Sequence, residues 1–204
     1  AAKLLASGAD KIALNSEALQ RPQLISELAQ EFGSQCVVVS IQARKIHELD
    51  WEAMGEAGRE RSGRKVINWM QEVQDLGAGE ILLTSIDQDG TCQGPDYALI
   101  EEANSIASVP LVVCGGFAAI EDIDTTFKKS AVSGIGIGAA FHKQNLEIKQ
   151  CKSKLETNTF TIRRSKNKPS NSTSPLSDIT IGVIDYGMGN QQSLINAIEH
   201  LGAT

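Results

Sequence analysis

The chain has 204 residues, 41% of them hydrophobic and 22% charged, which is enough to bury a core, so disorder is not the default. Its net charge is −6, and residues 1–155 carry no lysine/arginine stripe of the kind a phosphate backbone requires, so nucleic acid is not an expected partner. No apolar run approaches the roughly 18–20 residues of a membrane span. Cys36, Cys92, Cys114 and Cys151 form no Cys-x-x-Cys pair and have no histidine at metal spacing, so reduced thiols in a cytoplasm are expected, with no metal and no cofactor.

Ala1–Gly8 reads as the last turns of a helix closed by a glycine. There is no initiator methionine, and the sequence is expected to open inside a domain. Lys11–Asn15 is a short apolar run between polar brackets, and Leu24, Ile25, Leu28, Ala29 and Phe32 then recur at helical spacing. The strand-then-helix unit repeats with Cys36–Ile41, a β-branched run too short for a helix, and with Val66, Trp69, Met70, Val73 and Leu76. It repeats again with Glu80–Thr84 and the stripe Leu99, Ile100 and Ala103, and once more with Pro110–Cys114 and the stripe Ile120, Ile123 and Phe127; Gly134–Gly138 gives a fifth strand. Near-continuously apolar strands are those of a parallel sheet covered by helices, so the class is α/β.

Between Arg163 and Pro175 the chain is polar, basic and almost free of apolar side chains. Residues 156–178 are therefore expected to be a flexible linker. Residues 179–204 read as the first βα unit of a second domain, with a strand at Ile179–Ile184, a glycine turn at Asp185–Asn190, and Leu194, Ala197, Ile198 and Leu201 on one helical face.

In a (β/α)8 barrel the chemistry sits where the strands end. Here those ends are Asn15-Ser16, Ser40-Ile41-Gln42, Thr84 to Thr91, Cys114-Gly115-Gly116 and Gly138-Ala139. Glycines and small residues let backbone N–H groups approach a phosphate, and two such places follow the late strands, which points to a phosphorylated ligand. Each feature alone is weak. A Gly-Gly pair is as often a plain turn, Asp-Gly is a common hairpin signal, and Asp87-x-Asp89-Gly90 lacks the closing glutamate of a calcium loop.

In combination the order is specific. Gly8-Ala9-Asp10-Lys11, Asn15-Ser16, Phe32-Gly33-Ser34-Gln35, the run Gly77–Thr91, Gly115-Gly116 and Phe141-His142 resemble the cyclase subunit HisF of imidazole glycerol phosphate synthase, over residues 1–155. Asp185–Asn190 and its flanks look like the opening of the glutaminase HisH. The resemblance implies strands 4–8 of a (β/α)8 barrel followed by the start of a class I glutamine amidotransferase-like domain. It also implies a synthase in which a HisH-type glutaminase, in trans or fused, supplies ammonia to a bis-phosphorylated ribonucleotide, giving imidazole glycerol phosphate and aminoimidazole carboxamide ribonucleotide in histidine biosynthesis. By the same resemblance Asn15 and Ser16 hold one phosphate, and Gly90, Gly115, Gly116, Gly138 and Ala139 serve the phosphate-binding sites. Asp89 lines the active centre, and Lys11 and Glu80 belong to an ammonia gate at the opposite mouth. The family's acid/base pair is two aspartates; one of these positions holds Gln42, and an amide has no proton to exchange near neutral pH. Gln42 and the Phe117-Ala118 pair fit a HisF-like paralogue that delivers ammonia in surface-polysaccharide pathways without cyclising. A further alternative is an inactive remnant, because five strands cannot close a barrel. Five consecutive parallel strands are expected, with Asn15, Gln42, Asp89, Gly116 and Gly138 clustered at one end.

Overall fold

The computed structural model describes residues 1–143 and 146–157. The readings made above for residues 158–204 lie outside them. The elements are α1 (Ala2–Ala6), β1 (Ile12–Leu14), α2 (Ser16–Gln20), α3 (Gln23–Phe32), β2 (Val37–His47), β3 (Asp50–Gly55), β4 (Glu60–Lys65), α4 (Val66–Asp75), β5 (Glu80–Ser85), α5 (Tyr97–Ile106), β6 (Leu111–Cys114), α6 (Ile120–Lys129), β7 (Gly134–Gly136), α7 (Ala139–His142) and α8 (Ile148–Thr157). None of these helices is long and apolar enough to cross a membrane.

β1, β2, β5, β6 and β7 are parallel and lie side by side in that order. Period-two alternation splits their side chains between two faces. Val37, Val39, Ile41 and Ala43 of β2, Ile81 and Leu83 of β5, and Leu111 and Val113 of β6 are all buried and join one core with Ile25 and Leu28 of α3, Trp69 and Val73 of α4, and Leu99 and Ala103 of α5. The alternate residues face the other way and, apart from the buried Val38, are only partly covered. An inner parallel sheet with helices on its outer face is the arrangement of a partial (β/α)8 barrel.

The expectation of five consecutive strands needs correction, because the sheet is mixed. β2 runs on past Ile41 to His47, and β3 and β4 fold back from it as an antiparallel excursion. β1 and β3 thus share one edge of β2: β1 pairs with Val37–Val39, and β3 with Gln42–His47. Trp51 and Glu52 fasten the excursion. Trp51 is buried, and its Nε1–H donates to Asp96 Oδ2 at 2.9 Å, while Asp96 Oδ1 accepts the Leu99 N–H at 3.1 Å and so caps α5. The buried Glu52 carboxylate accepts from Arg61 Nε at 2.8 Å and from the Gly63 N–H at 2.8 Å, across a register break in the β3–β4 ladder.

The Arg61 hydrogen bond holds the Glu52 carboxyl below the usual carboxylate range, outweighing the opposing effect of burial. A depressed folded value means the excursion is stabilised above the unfolded pKa and loses that stability as pH falls through the folded value. Glu52→Gln should therefore flatten the acid side of a urea-midpoint against pH profile. An unchanged acid limb would show that the ion pair does not hold the excursion.

Candidate functional site

Four strands contribute one row to the inner face, near the C-terminal ends of β5, β6 and β7 and midway along the extended β2: Gln42 pairs with Thr84, Thr84 with Cys114, and Cys114 with Gly136. Three of the four, Thr84, Cys114 and Gly136, line a cavity of about 210 Å³ whose other walls include Asp89, Gly90, Gly115, Gly116, Gly138 and Ala139. The structure therefore brings together the residues expected at the late strands. Cys114 is not the plain core residue its type suggests. It lies on the inner face, and burial pushes its thiol above the ordinary thiol range, against hydrogen bonds from the Gly136 backbone and the Thr84 side chain. It is a neutral thiol at physiological pH. Cys92 and Phe117 also line the cavity, and nothing in their sequence spacing marks them.

Two glycines build the walls. Gly116 has φ +87, and a Cβ placed on it would stand 2.1 Å from the Gly94 carbonyl oxygen. That loop is itself hydrogen-bonded to Gly116, Gly94 N–H to Gly116 O at 2.9 Å. Gly115, at φ +102, would bring a Cβ to 2.6 Å from Ser85 O. Close backbone approach between the β5 and β6 loops requires both. Gly138 differs, since no atom lies within 4 Å of its would-be Cβ. Packing does not demand a glycine there; the open space is on the cavity wall.

Asp89 is exposed, and its N–H donates to Ser85 O at 3.0 Å, which turns the β5 loop back over the strand end. Lys143 Nζ, just after α7, donates to Gly90 O at 3.0 Å and ties that end of α7 to the β5 loop. Asp87 plays a different part: its Oδ2 accepts the Lys45 N–H at 2.7 Å, tying the β5 loop to the extended β2.

Asn15 and Ser16 lie at the same end of the sheet but outside this cavity. Asn15 Nδ2 donates to Ser40 O at 3.0 Å and to Met54 O at 3.1 Å. These carbonyls flank the point where β1 stops and β3 begins on the shared edge of β2, so both amide hydrogens are used in closing that gap. Ser16 Oγ accepts the Glu56 N–H at 2.8 Å and reaches Asn15 Oδ1 at 3.2 Å. Asn15→Asp preserves shape but offers no donor. It is expected to destabilise the protein by roughly 2–6 kcal/mol, with two part-buried carbonyls each losing a partner at about 1–3 kcal/mol. Urea denaturation measures this; an unshifted midpoint together with weakened phosphate binding would make Asn15 a ligand contact instead.

At the other end of the sheet, Lys11 pairs with Glu80. Thr84 lies four residue steps along β5 from Glu80, about 13 Å. Exposed as it is, the pair stabilises the fold little. Its position marks the mouth opposite the cavity.

Gln42 completes the inner row. Its Oε1 is buried and has no hydrogen-bond partner among the described residues.

An α/β sheet whose five parallel strands gather glycine loops and Asp89 at their C-terminal side has the arrangement of a partial (β/α)8 barrel. A sequence model of the histidine biosynthesis protein family matches residues 1–147, and the chain belongs to that family. Among its curated relatives are imidazole glycerol phosphate synthase subunits HisF. The Streptococcus gordonii subunit is 40% identical over 161 residues, covering 79% of this chain and 64% of the relative. For Prochlorococcus marinus strain AS9601 the figures are 42% over 162 residues, 78% and 63%, and for Bacillus cereus 43% over 160 residues, 78% and 64%. The chain spans a little under two thirds of the length of these relatives.

Proposed function

We propose that the protein is a HisF-type cyclase subunit in histidine biosynthesis, using ammonia from a HisH-type glutaminase to convert a bis-phosphorylated ribonucleotide into imidazole glycerol phosphate and aminoimidazole carboxamide ribonucleotide. The observation that carries this reading is the 210 Å³ cavity, in which Asp89, Gly90, Gly115, Gly116, Gly138 and Ala139 meet at one end of the sheet. In this reading the five parallel strands β1, β2, β5, β6 and β7 are strands 4–8 of the barrel. Residues 179–204 are the start of the glutaminase domain, joined through the linker expected at residues 156–178, whose first two residues lie in the last turn of α8.

Backbone N–H groups at Gly115, Gly116 and the Gly138–Ala139 turn hold one phosphate, and Gly90 closes over it. The end of β1, at Asn15 and Ser16, holds the other. Because the Asn15 amide hydrogens are engaged by Ser40 and Met54, that contact falls to the backbone. Asp89 stands at the cavity wall, where ring closure moves protons. Ammonia enters between Lys11 and Glu80 and travels along the inner face to the Gln42–Thr84–Cys114 row.

Gln42 supports a second reading. With an amide at an acid/base position, the subunit binds the ribonucleotide and passes ammonia but closes the ring slowly, as a delivery subunit for another amidotransferase does. The test is steady-state kinetics of the intact protein with an ammonium salt as nitrogen donor, following both products chromatographically. Product formation that saturates in ribonucleotide supports the cyclase. Tight ribonucleotide binding with neither product formed supports the delivery subunit.

A further inference from the structure

We propose that Gln42 is a specificity residue whose side-chain carbonyl accepts a hydrogen bond from a neutral N–H of a phosphate ester seated in the glycine cavity. The inference rests on the phosphate-site reading of that cavity and adds what the other end of the ligand must offer.

The hydrogen-bond inventory of the inner row leads to it. A buried carbonyl oxygen without a donor is costly, so an orphaned one at a strand end beside a cavity marks a place where a ligand supplies the donor. Gln42 Oε1 is such an atom. It stands in register with Thr84, and Thr84 and Cys114 are cavity wall, so the row leads from the glycine loops directly to the orphan. From Gly136 to Gln42 is three strand spacings, about 14 Å. A phosphate followed by a five-carbon sugar and a base-sized ring has a span of that order.

The donor is neutral because the row is neutral. Amide, hydroxyl and protonated thiol offer no countercharge to a cation. Asp89 lies beside the row rather than in it, at the Cys114 end, where its charge adds to the rise of that thiol, and not at the Gln42 end. A carboxylate at position 42 would take a proton; the amide reads the N–H and leaves it in place. The ligand class is accordingly a phosphorylated sugar carrying a carboxamide or amino-substituted ring.

The test compares three probes on the intact protein by calorimetry: inorganic phosphate, ribose 5-phosphate and aminoimidazole carboxamide ribonucleotide. Gln42→Leu, which removes the acceptor, should weaken the ribonucleotide on the order of tenfold or more while phosphate and ribose 5-phosphate change less than about twofold. Gln42→Glu keeps an acceptor at the same reach and should retain most of the ribonucleotide affinity. Equal ribonucleotide affinity in wild type and Gln42→Leu, or an equal loss for all three probes, overturns the inference and leaves the cavity reading intact. Failure of any probe to bind the wild type overturns the cavity reading itself. Circular dichroism of both variants separates either result from misfolding.

Discussion

Gln42→Asp is expected to raise ammonia-dependent cyclisation by roughly 10²–10⁴-fold, the usual worth of a positioned general acid or base. An amide cannot exchange a proton near neutral pH, whereas an aspartate on the same strand end can. The row around position 42 holds no other carboxylate among the described residues to take its place, since Thr84, Cys114 and Gly136 complete it. The gain is expected in an intact protein that carries the family's second aspartate. It should fall in kcat, with inorganic phosphate affinity nearly constant, because Gln42 lies outside the glycine cavity. Wild type already as fast as the aspartate variant would remove position 42 from proton transfer and place the base elsewhere, with Asp89 the next candidate.

Much of this architecture is readable in the chain, and for a definite reason. β2, β5 and β6 bury their outward rows against helices, so Val37–Ile41, Ile81–Leu83 and Leu111–Val113 appear as β-branched and aliphatic runs. The loops after them carry glycines because backbones approach closely there, and the cavity residues fall into place once the strand ends are known. The β3–β4 excursion is invisible for the opposite reason. β4 reads Glu-Arg-Ser-Gly-Arg-Lys, with no apolar residue to alternate, and β3 places Glu52 in the middle of its buried run. That carboxylate is legible only once Arg61 and the Gly63 N–H are seen around it. A charged edge strand also resists pairing with another chain, so the feature that hides β4 from pattern reading suits it to its position.

Asn15 shows the same limit at the site. Its place at a strand end suggests a ligand contact, but the gap it closes between β1 and β3 exists only because β3 does. Gln42 could be picked out by its type, while its orphaned oxygen could not, since that depends on what the neighbouring strands fail to offer. Which face of β6 Cys114 takes is likewise set by register and not by residue type.

Gly116→Ala and Gly138→Ala are expected to fail in different ways. At Gly116 an L-residue must hold φ +87, which costs roughly 1–2 kcal/mol by itself. Its Cβ would also stand 2.1 Å from the Gly94 carbonyl oxygen and 2.9 Å from Gln88 Cβ. Neither a backbone carbonyl nor the loop behind it can yield without breaking the Gly94–Gly116 hydrogen bond. The sum is roughly 3–5 kcal/mol, at the exceptional end for a single substitution and a large part of a domain's total stability. Thermal unfolding should show it with no ligand present. Gly138 has an ordinary backbone conformation, φ −116, and free space around its would-be Cβ. Alanine there should leave the melting temperature within a degree or two, yet place a methyl group where an anion meets the backbone. Phosphate or ribose 5-phosphate affinity should fall by about tenfold or more. If Gly138→Ala binds both as tightly as wild type, the open space beside it does not receive the phosphate, and the cradle contracts to the Gly115–Gly116 side of the cavity.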